Sequence, residues 1–161
     1  MQGRILEHIK PVSCFVPIDT TGAGQDGDWV NLKHFRKLVG IIQQGAWAGG
    51  TPAVTFQQAS DNAGTGAKAL DIEYYYQGTH GTDDAYAKTA ISSDTFNLPN
   101  TANTITMVEI HAQDLDINNG FTHVRMRVAS PGANADLISA LYLLGGGDFA
   151  MKTEDMPSVI G

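Results

Sequence analysis

Thr104-Ile105-Thr106-Met107-Val108-Glu109-Ile110-His111, His123-Val124-Arg125-Met126-Arg127-Val128 and the apolar run from Leu137 to Leu144 are the most strand-like parts of this 161-residue chain. The second run alternates strictly. Val124, Met126 and Val128 share one face, and His123, Arg125 and Arg127 share the other. A period of two belongs to a half-buried strand. The third run is apolar on both faces apart from Ser139, a pattern that predicts a strand buried between two layers. Two polar segments join the three: Asp114 to Gly120, expected as a hairpin-type loop, and the turn Ser130 to Asp136.

Working outward, the same reading recurs at short intervals. Pro11 to Ile18 reads as a strand whose flanking prolines predict an edge position. Thr20 to Asp28 is a Gly/Asp/Thr turn. Trp29 to Gln44 fits two descriptions. Trp29, Leu32, Phe35, Leu38 and Ile42 mark one face of a helix, but β-branched Val39, Ile41 and Ile42 beside Gly40 favour strands. The expectation is therefore a strand at Trp29–Leu32, a polar turn at Lys33–Arg36 and a strand from Lys37 to Gln43. Ala53–Ala59 is a further strand. Ala67–Tyr76 is another, with Leu70, Ile72, Tyr74 and Tyr76 facing one way. Tyr86–Ile91 and Thr95–Leu98 are shorter. Some eight to ten short strands spaced by turns predict an all-β fold, a single jelly-roll-like β-sandwich.

The sandwich is expected over residues 11–145, with an N-terminal arm at 1–10 and a C-terminal arm at 146–161 beyond Gly145-Gly146-Gly147. Ile5, Leu6 and Ile9 give the first arm an apolar edge, and Pro11 stops any helix there. The second arm shows no period; its apolar residues are Phe149, Met151, Met156, Val159 and Ile160.

Composition narrows the function. A chain of this length buries about two-thirds of the surface it exposes when unfolded, and needs no covalent staple. Charged residues are 17 %, below the usual level of about a quarter, as suits a surface spent on contacts between subunits. The net charge of −7 opposes phosphate-neutralising binding to nucleic acid, which needs a basic patch. The densest basic cluster is Lys33, Arg36 and Lys37. One cysteine, Cys14, excludes an internal disulfide. The N-terminal stretch lacks the apolar core of a signal peptide, and no run is long and apolar enough for a membrane helix.

The candidate chemical motifs are weak. Gly22-Ala23-Gly24-Gln25-Asp26-Gly27 matches the dinucleotide pattern G-x-G-x-x-G. However, Asp26 and Asp28 fall where a pyrophosphate needs positive potential, and no alternation of strands and helices follows. A turn is the expectation. Asp114, Asp116 and Asn118 offer alternating oxygen ligands as in a calcium loop, but the glycine falls late, at Gly120, and Arg125 stands at the glutamate position. The five histidines are dispersed; His80 beside Asp83 and Asp84 is nearest to a site. Cys14 sits in an apolar run, so a core role is expected. Tyr75 breaks the phase of Tyr74 and Tyr76 and is a candidate for a subunit contact, where tyrosine is enriched. Trp47, in its glycine-rich loop, is a candidate for a subunit interface or an exposed tip. No catalytic residue, cofactor or metal is expected.

Five segments together resemble the capsid decoration, or cement, proteins of tailed bacteriophages. They are Asp28-Trp29-Val30-Asn31-Leu32-Lys33; Gly66-Ala67-Lys68-Ala69-Leu70 leading into Tyr74-Tyr75-Tyr76; Glu109-Ile110 with Asp114-Leu115-Asp116; Asn119-Gly120-Phe121 with Val124-Arg125; and the turn Pro131 to Asp136. The resemblance spans roughly residues 15 to 145. It implies a structural virion protein on the capsid exterior that bridges major capsid protein subunits and carries out no catalysis. It implies a homo-oligomer, most often a trimer and in some jelly-roll cements a dimer, with neither nucleic acid nor membrane as direct partner. Expected shell contacts are Ile5, Leu6, Ile9, Phe149 and Met151, in the arms where such proteins differ most. The alternatives are a tail-tube or head–tail joining protein, and a small-ligand or nucleotide-binding module using the Gly22–Gly27 loop.

Overall fold

The computed structural model describes residues 4–83, 85–147 and 156–160. Among them twelve strands form two antiparallel sheets. The strands are β1 (Ile9–Asp19), β2 (Gln25–Asp26), β3 (Val30–Asn31), β4 (Lys37–Trp47), β5 (Ala53–Ala59), β6 (Lys68–Leu70), β7 (Tyr74–Thr79), β8 (Ala87–Ala90), β9 (Thr95–Asn97), β10 (Thr104–His111), β11 (His123–Val128) and β12 (Asp136–Gly145). The first sheet runs β1-β12-β4-β10-β7-β8, and the second runs β2-β11-β5-β6. On the second sheet β3 shares one side of β11 with β2, and β9 shares one side of β5 with β6. Both outer columns of that sheet are therefore interrupted. Most successive strands lie in different sheets, which is the winding of a jelly roll; the β7–β8 hairpin widens the first sheet. The all-β sandwich is as expected.

Alternation places the core. On β10 the buried positions are Thr104, Thr106, Val108 and Ile110; on β4 they are Leu38, Gly40, Ile42 and Gln44. They face Val54, Phe56, Val124 and Met126 from the second sheet, all fully buried. Gly40 sits where a Cβ would lie 2.8 Å from the Phe56 ring, so the absent side chain makes room for that ring. The buried Gln44 is satisfied: its amide donates to the Pro99 carbonyl at 3.0 Å, and its Oε1 accepts the Thr104 hydroxyl at 2.5 Å.

One buried residue joins the two sheets by a directed bond. Tyr142 on β12 is fully buried. Its hydroxyl accepts the Met126 backbone N–H at 2.8 Å and donates to the Asp28 carbonyl at 3.3 Å. The gap between β2 and β3 falls opposite Met126, whose carbonyl accepts the Gly27 N–H at 2.8 Å. Among the described residues the Met126 N–H finds its acceptor in this phenol, supplied from across the core. Gly27 keeps the path clear, since a Cβ there would collide with Cys14 Sγ and the Tyr142 hydroxyl. Burial pushes the Cys14 thiol up to about 12 and raises the Tyr142 phenol as well.

Several expectations are corrected. Ala67–Tyr76 is two strands: β6 lies in the second sheet, and β7 begins the return to the first after Asp71-Ile72-Glu73. The Asp114–Gly120 segment is a crossover between sheets, built of two 3-10 turns, rather than a hairpin. Gln25–Asp26, expected as part of a turn, pairs with β11. β12 is covered on one face only: Leu137 is 48 % and Leu141 39 % exposed on the other. At the C-terminal end, Met156 and Val159 join the core, and the Val159 carbonyl accepts the Asn31 N–H at 2.9 Å. These two residues close the sandwich they follow. The edge position of β1, the strand–turn–strand reading of Trp29–Gln44 and the core placement of Cys14 agree with the sequence.

Two outcomes follow from the Tyr142 cluster. Tyr142→Phe leaves the buried Met126 N–H without its acceptor and costs about 1–3 kcal/mol, read as a lower urea midpoint at unchanged m-value. Stability also falls with rising pH once the unfolded thiol ionises near pH 9 while the folded thiol holds its proton to about 12. The slope reaches about 1.4 kcal/mol per pH unit, and urea midpoints measured from pH 8 to 10.5 in the wild type and in Cys14→Ala, where the slope is shallower, check it.

Candidate interaction surface

The residues singled out from the sequence fall in the N-terminal turn, the loop after β4 and strand β7, beside the outer face of the first sheet.

The N-terminal turn is a single 3-10 turn at Ile5–Glu7. The Glu7 N–H donates to the Arg4 carbonyl at 2.9 Å, and the Arg4 N–H donates to the Glu7 carboxylate at 3.0 Å. This reciprocal pair fixes the turn at the start of β1. It holds Ile5 and Leu6 outward, 73 % and 60 % exposed. Ile9 is half-buried and already pairs with Gly145 of β12, so it belongs to the sheet as much as to the arm. Phe149 and Met151 lie outside the described residues.

Trp47 ends β4, is half-buried and packs against the core. Its indole N–H donates to the Gly50 carbonyl at 3.1 Å. The loop behind it is tied down by the buried carboxylate of Asp136, which accepts the Ala48 N–H at 2.6 Å and the Gly49 N–H at 3.2 Å. The tryptophan is thus held by its own loop and by β12 rather than projecting from a tip.

Tyr75 points inward. Its ring stacks on Phe96 with centroids 4.4 Å apart and planes 16° from parallel. Tyr74 and Tyr76 take the outer face, edge to face at 5.5 Å, with the Lys88 ammonium 3.7 Å from the Tyr74 ring centroid. The tyrosine phase is therefore opposite to the one expected from the sequence, because Met107 on β10 pairs with Tyr76 and brings it to the outer side.

The outer face of the first sheet was the feature sequence reasoning missed. Leu141, Ile41, Met107 and Tyr76 stand in one transverse row from β12 to β7, set by the register of four paired strands. Leu143 and Val39 form the next row, with Glu109 beside them. The third row, Ser139, Gln43, Ile105 and Gly78, borders a hollow of about 480 Å³ closed by Tyr86 and Leu137. Charge on this face sits around its margin: Glu109 meets His111 at 2.8 Å and Lys37 at 3.5 Å at one end, Lys88 stands on the edge strand, and at the other end Asp83 borders the hollow and Asp19 pairs with Leu137. The second sheet's outer face is of the other kind. Asp26 accepts from Arg127 at 2.6 Å and lies 3.3 Å from Arg125, which also donates to Gln57 at 2.9 Å.

The remaining motifs are absorbed by the fold. Asp26 of the glycine-rich loop is engaged by those two arginines, and Gly24 abuts the Val128 and Ser130 backbone. Asp116 is bound by Lys68 at 2.5 Å and by Asn119 at 2.8 Å, and these partners hold its carboxyl below the ordinary range. Asp114 accepts the His111 N–H at 3.1 Å, and Asp83 accepts the Thr79 N–H at 2.5 Å. Among the described residues no group of three His, Cys, Asp or Glu side chains is arranged to hold a metal ion.

No family model and no curated protein matches the chain. Among solved structures, the crystal structure of the SPBc2 prophage-derived protein YomS is similar at 14 % identity and a TM-score of 0.44, over 86 % of this chain and 93 % of that one.

Asp136→Ala removes the acceptor of two loop amides. Losing each bond costs about 1 kcal/mol, and more where the amide left without an acceptor is buried. The expected result is a lower melting temperature together with a red shift of tryptophan emission as the Trp47 loop opens.

Proposed function

We propose that this chain is a structural virion protein that binds the outer surface of a tailed-phage capsid and stabilises it by bridging major capsid protein subunits. The observation that carries the reading is the N-terminal turn: two large apolar side chains, Ile5 and Leu6, held outward on a hydrogen-bonded turn at the root of an edge strand. Such a turn is a fixed anchor on a rigid block. Each anchor buries roughly 2 kcal/mol of apolar side chain. Copies held on one shell engage together, and linked attachment raises the apparent affinity by roughly 10²–10⁴. The resemblance to cement proteins supports the same role, and its matching segments fall in this sandwich. β3 and the turn after it contain Val30 to Lys33; β6 and β7 contain Lys68 to Leu70 and the three tyrosines; the crossover and β11 contain Asp114 to Arg125.

The test is co-sedimentation of the purified chain with expanded shells of its phage. Ile5→Glu with Leu6→Glu is expected to weaken shell binding at least tenfold while the sandwich stays folded, since both side chains are more than half exposed. Full binding by the double variant would remove the anchor role; no binding by the wild type to any expanded shell would remove the capsid role.

A further inference from the structure

We infer that the outer face of the first sheet is a self-recognition surface on which a second copy of this chain packs, sheet against sheet, about a two-fold axis. This inference rests on the face itself and not on the capsid reading.

The two sheets end in opposite chemistry. Arg125, Arg127, Asp26 and Gln57 make the outer face of the second sheet a charged network. The central rows of the first sheet's outer face are Leu141, Ile41, Met107 and Tyr76, then Leu143 and Val39. An antiparallel sheet with one solvated face carries polar residues there. An apolar patch of this extent on a soluble chain marks a surface that is covered.

Size fits a second copy. Six strands at about 4.8 Å spacing span about 24 Å, the apolar rows crossing the four from β12 to β7 and the edge strands β1 and β8 framing them, and Leu137 to Leu143 runs about 20 Å along β12. Two such faces remove on the order of 1,000 Å² from water before side-chain corrugation is counted, the threshold for a specific interface. Charge selects the same face. Each copy carries −7, so copies repel unless they meet where the local charge is balanced. Here Glu109 is already engaged by Lys37 and His111, Asp83 and Asp19 stand at the opposite margin with Thr79 and Thr21 amides as their donors, and the apolar rows between carry no charge. A surface paired with itself is isologous, so the assembly closes at two. Sheets packed face to face lie about 10 Å apart and interdigitate their side chains. The row through Ile41 and Met107 lies near the middle of the face, where the axis falls.

The test is sedimentation equilibrium of the full chain with no other protein present. The expected mass is twice 17.2 kDa. Ile41→Lys and Met107→Glu are each expected to shift the dissociation midpoint at least 100-fold towards monomer, whereas Arg127→Ser on the other sheet leaves it unchanged. Should either charged variant fail to fold, peroxide oxidation of Met107 in the wild type keeps the question open to measurement: its rate falls several-fold as concentration passes through the dimer midpoint. A wild-type monomer at about 100 µM, a discrete trimer, a dimer that survives both substitutions, or a Met107 oxidation rate independent of concentration would overturn the inference.

Discussion

The hydroxyl of Tyr142 is the point on which the two sheets depend for their relative position. Apolar packing holds sheets together but tolerates sliding, because it is not directional. A hydrogen bond at 2.8 Å to one backbone N–H is directional, and a donor buried without it carries a penalty. That bond exists because β2 and β3 leave a gap, and the gap exists where Gly27 stands. A glycine, a break in an edge column, an unpaired amide and a phenol from the opposite layer therefore form one dependency. Cys14 completes it, packed against the same hydroxyl in an environment that keeps its thiol protonated.

With the layers fixed, the two sheets turn opposite chemistry outward. The second sheet turns a polar, arginine-bridged face outward. The first turns an apolar one outward, and the N-terminal turn projects from the root of its edge strand β1. Exposed ion pairs such as Asp26–Arg127 add little to stability, so the charged face is better read as keeping that side solvated. The apolar face and the turn are different in kind: one is broad and flat, the other is a point.

Much of the fold was legible because alternation reports burial locally. Thr104–His111, Ala53–Ala59 and His123–Val128 have the bounds the period predicts. The preference for strands over a helix at Trp29–Gln44, argued from β-branched residues beside Gly40, also holds. What was not legible was non-local. Leu137 to Leu144 and Tyr74-Tyr75-Tyr76 are apolar on both faces, so period alone carries no sign of which face is inside. Pairing with β4 and β10 decides it. Ala67–Tyr76 reads as one strand because nothing in Asp71-Ile72-Glu73 announces a change of sheet. The apolar outer face could not be seen for the same reason: its central row draws one residue each from β12, β4, β10 and β7, which lie far apart in the chain. The N-terminal turn was legible as an apolar edge, but its capping pair between Arg4 and Glu7 was not, because a single 3-10 turn has no period to announce it.

The margins of both sheets have a consequence for growth. β1 carries Pro11 and Pro17 and two register irregularities; β8 is four exposed residues with a lysine among them. On the second sheet, each outer column is made of two fragments of two or three residues with a break between them. A free strand needs an unbroken row of amides and carbonyls to template the next one, and among the described residues no margin presents a long, regular one. Strand-by-strand polymerisation into ribbons or fibrils is thereby discouraged at every side. What the fold leaves open to contact is its faces rather than its strand edges.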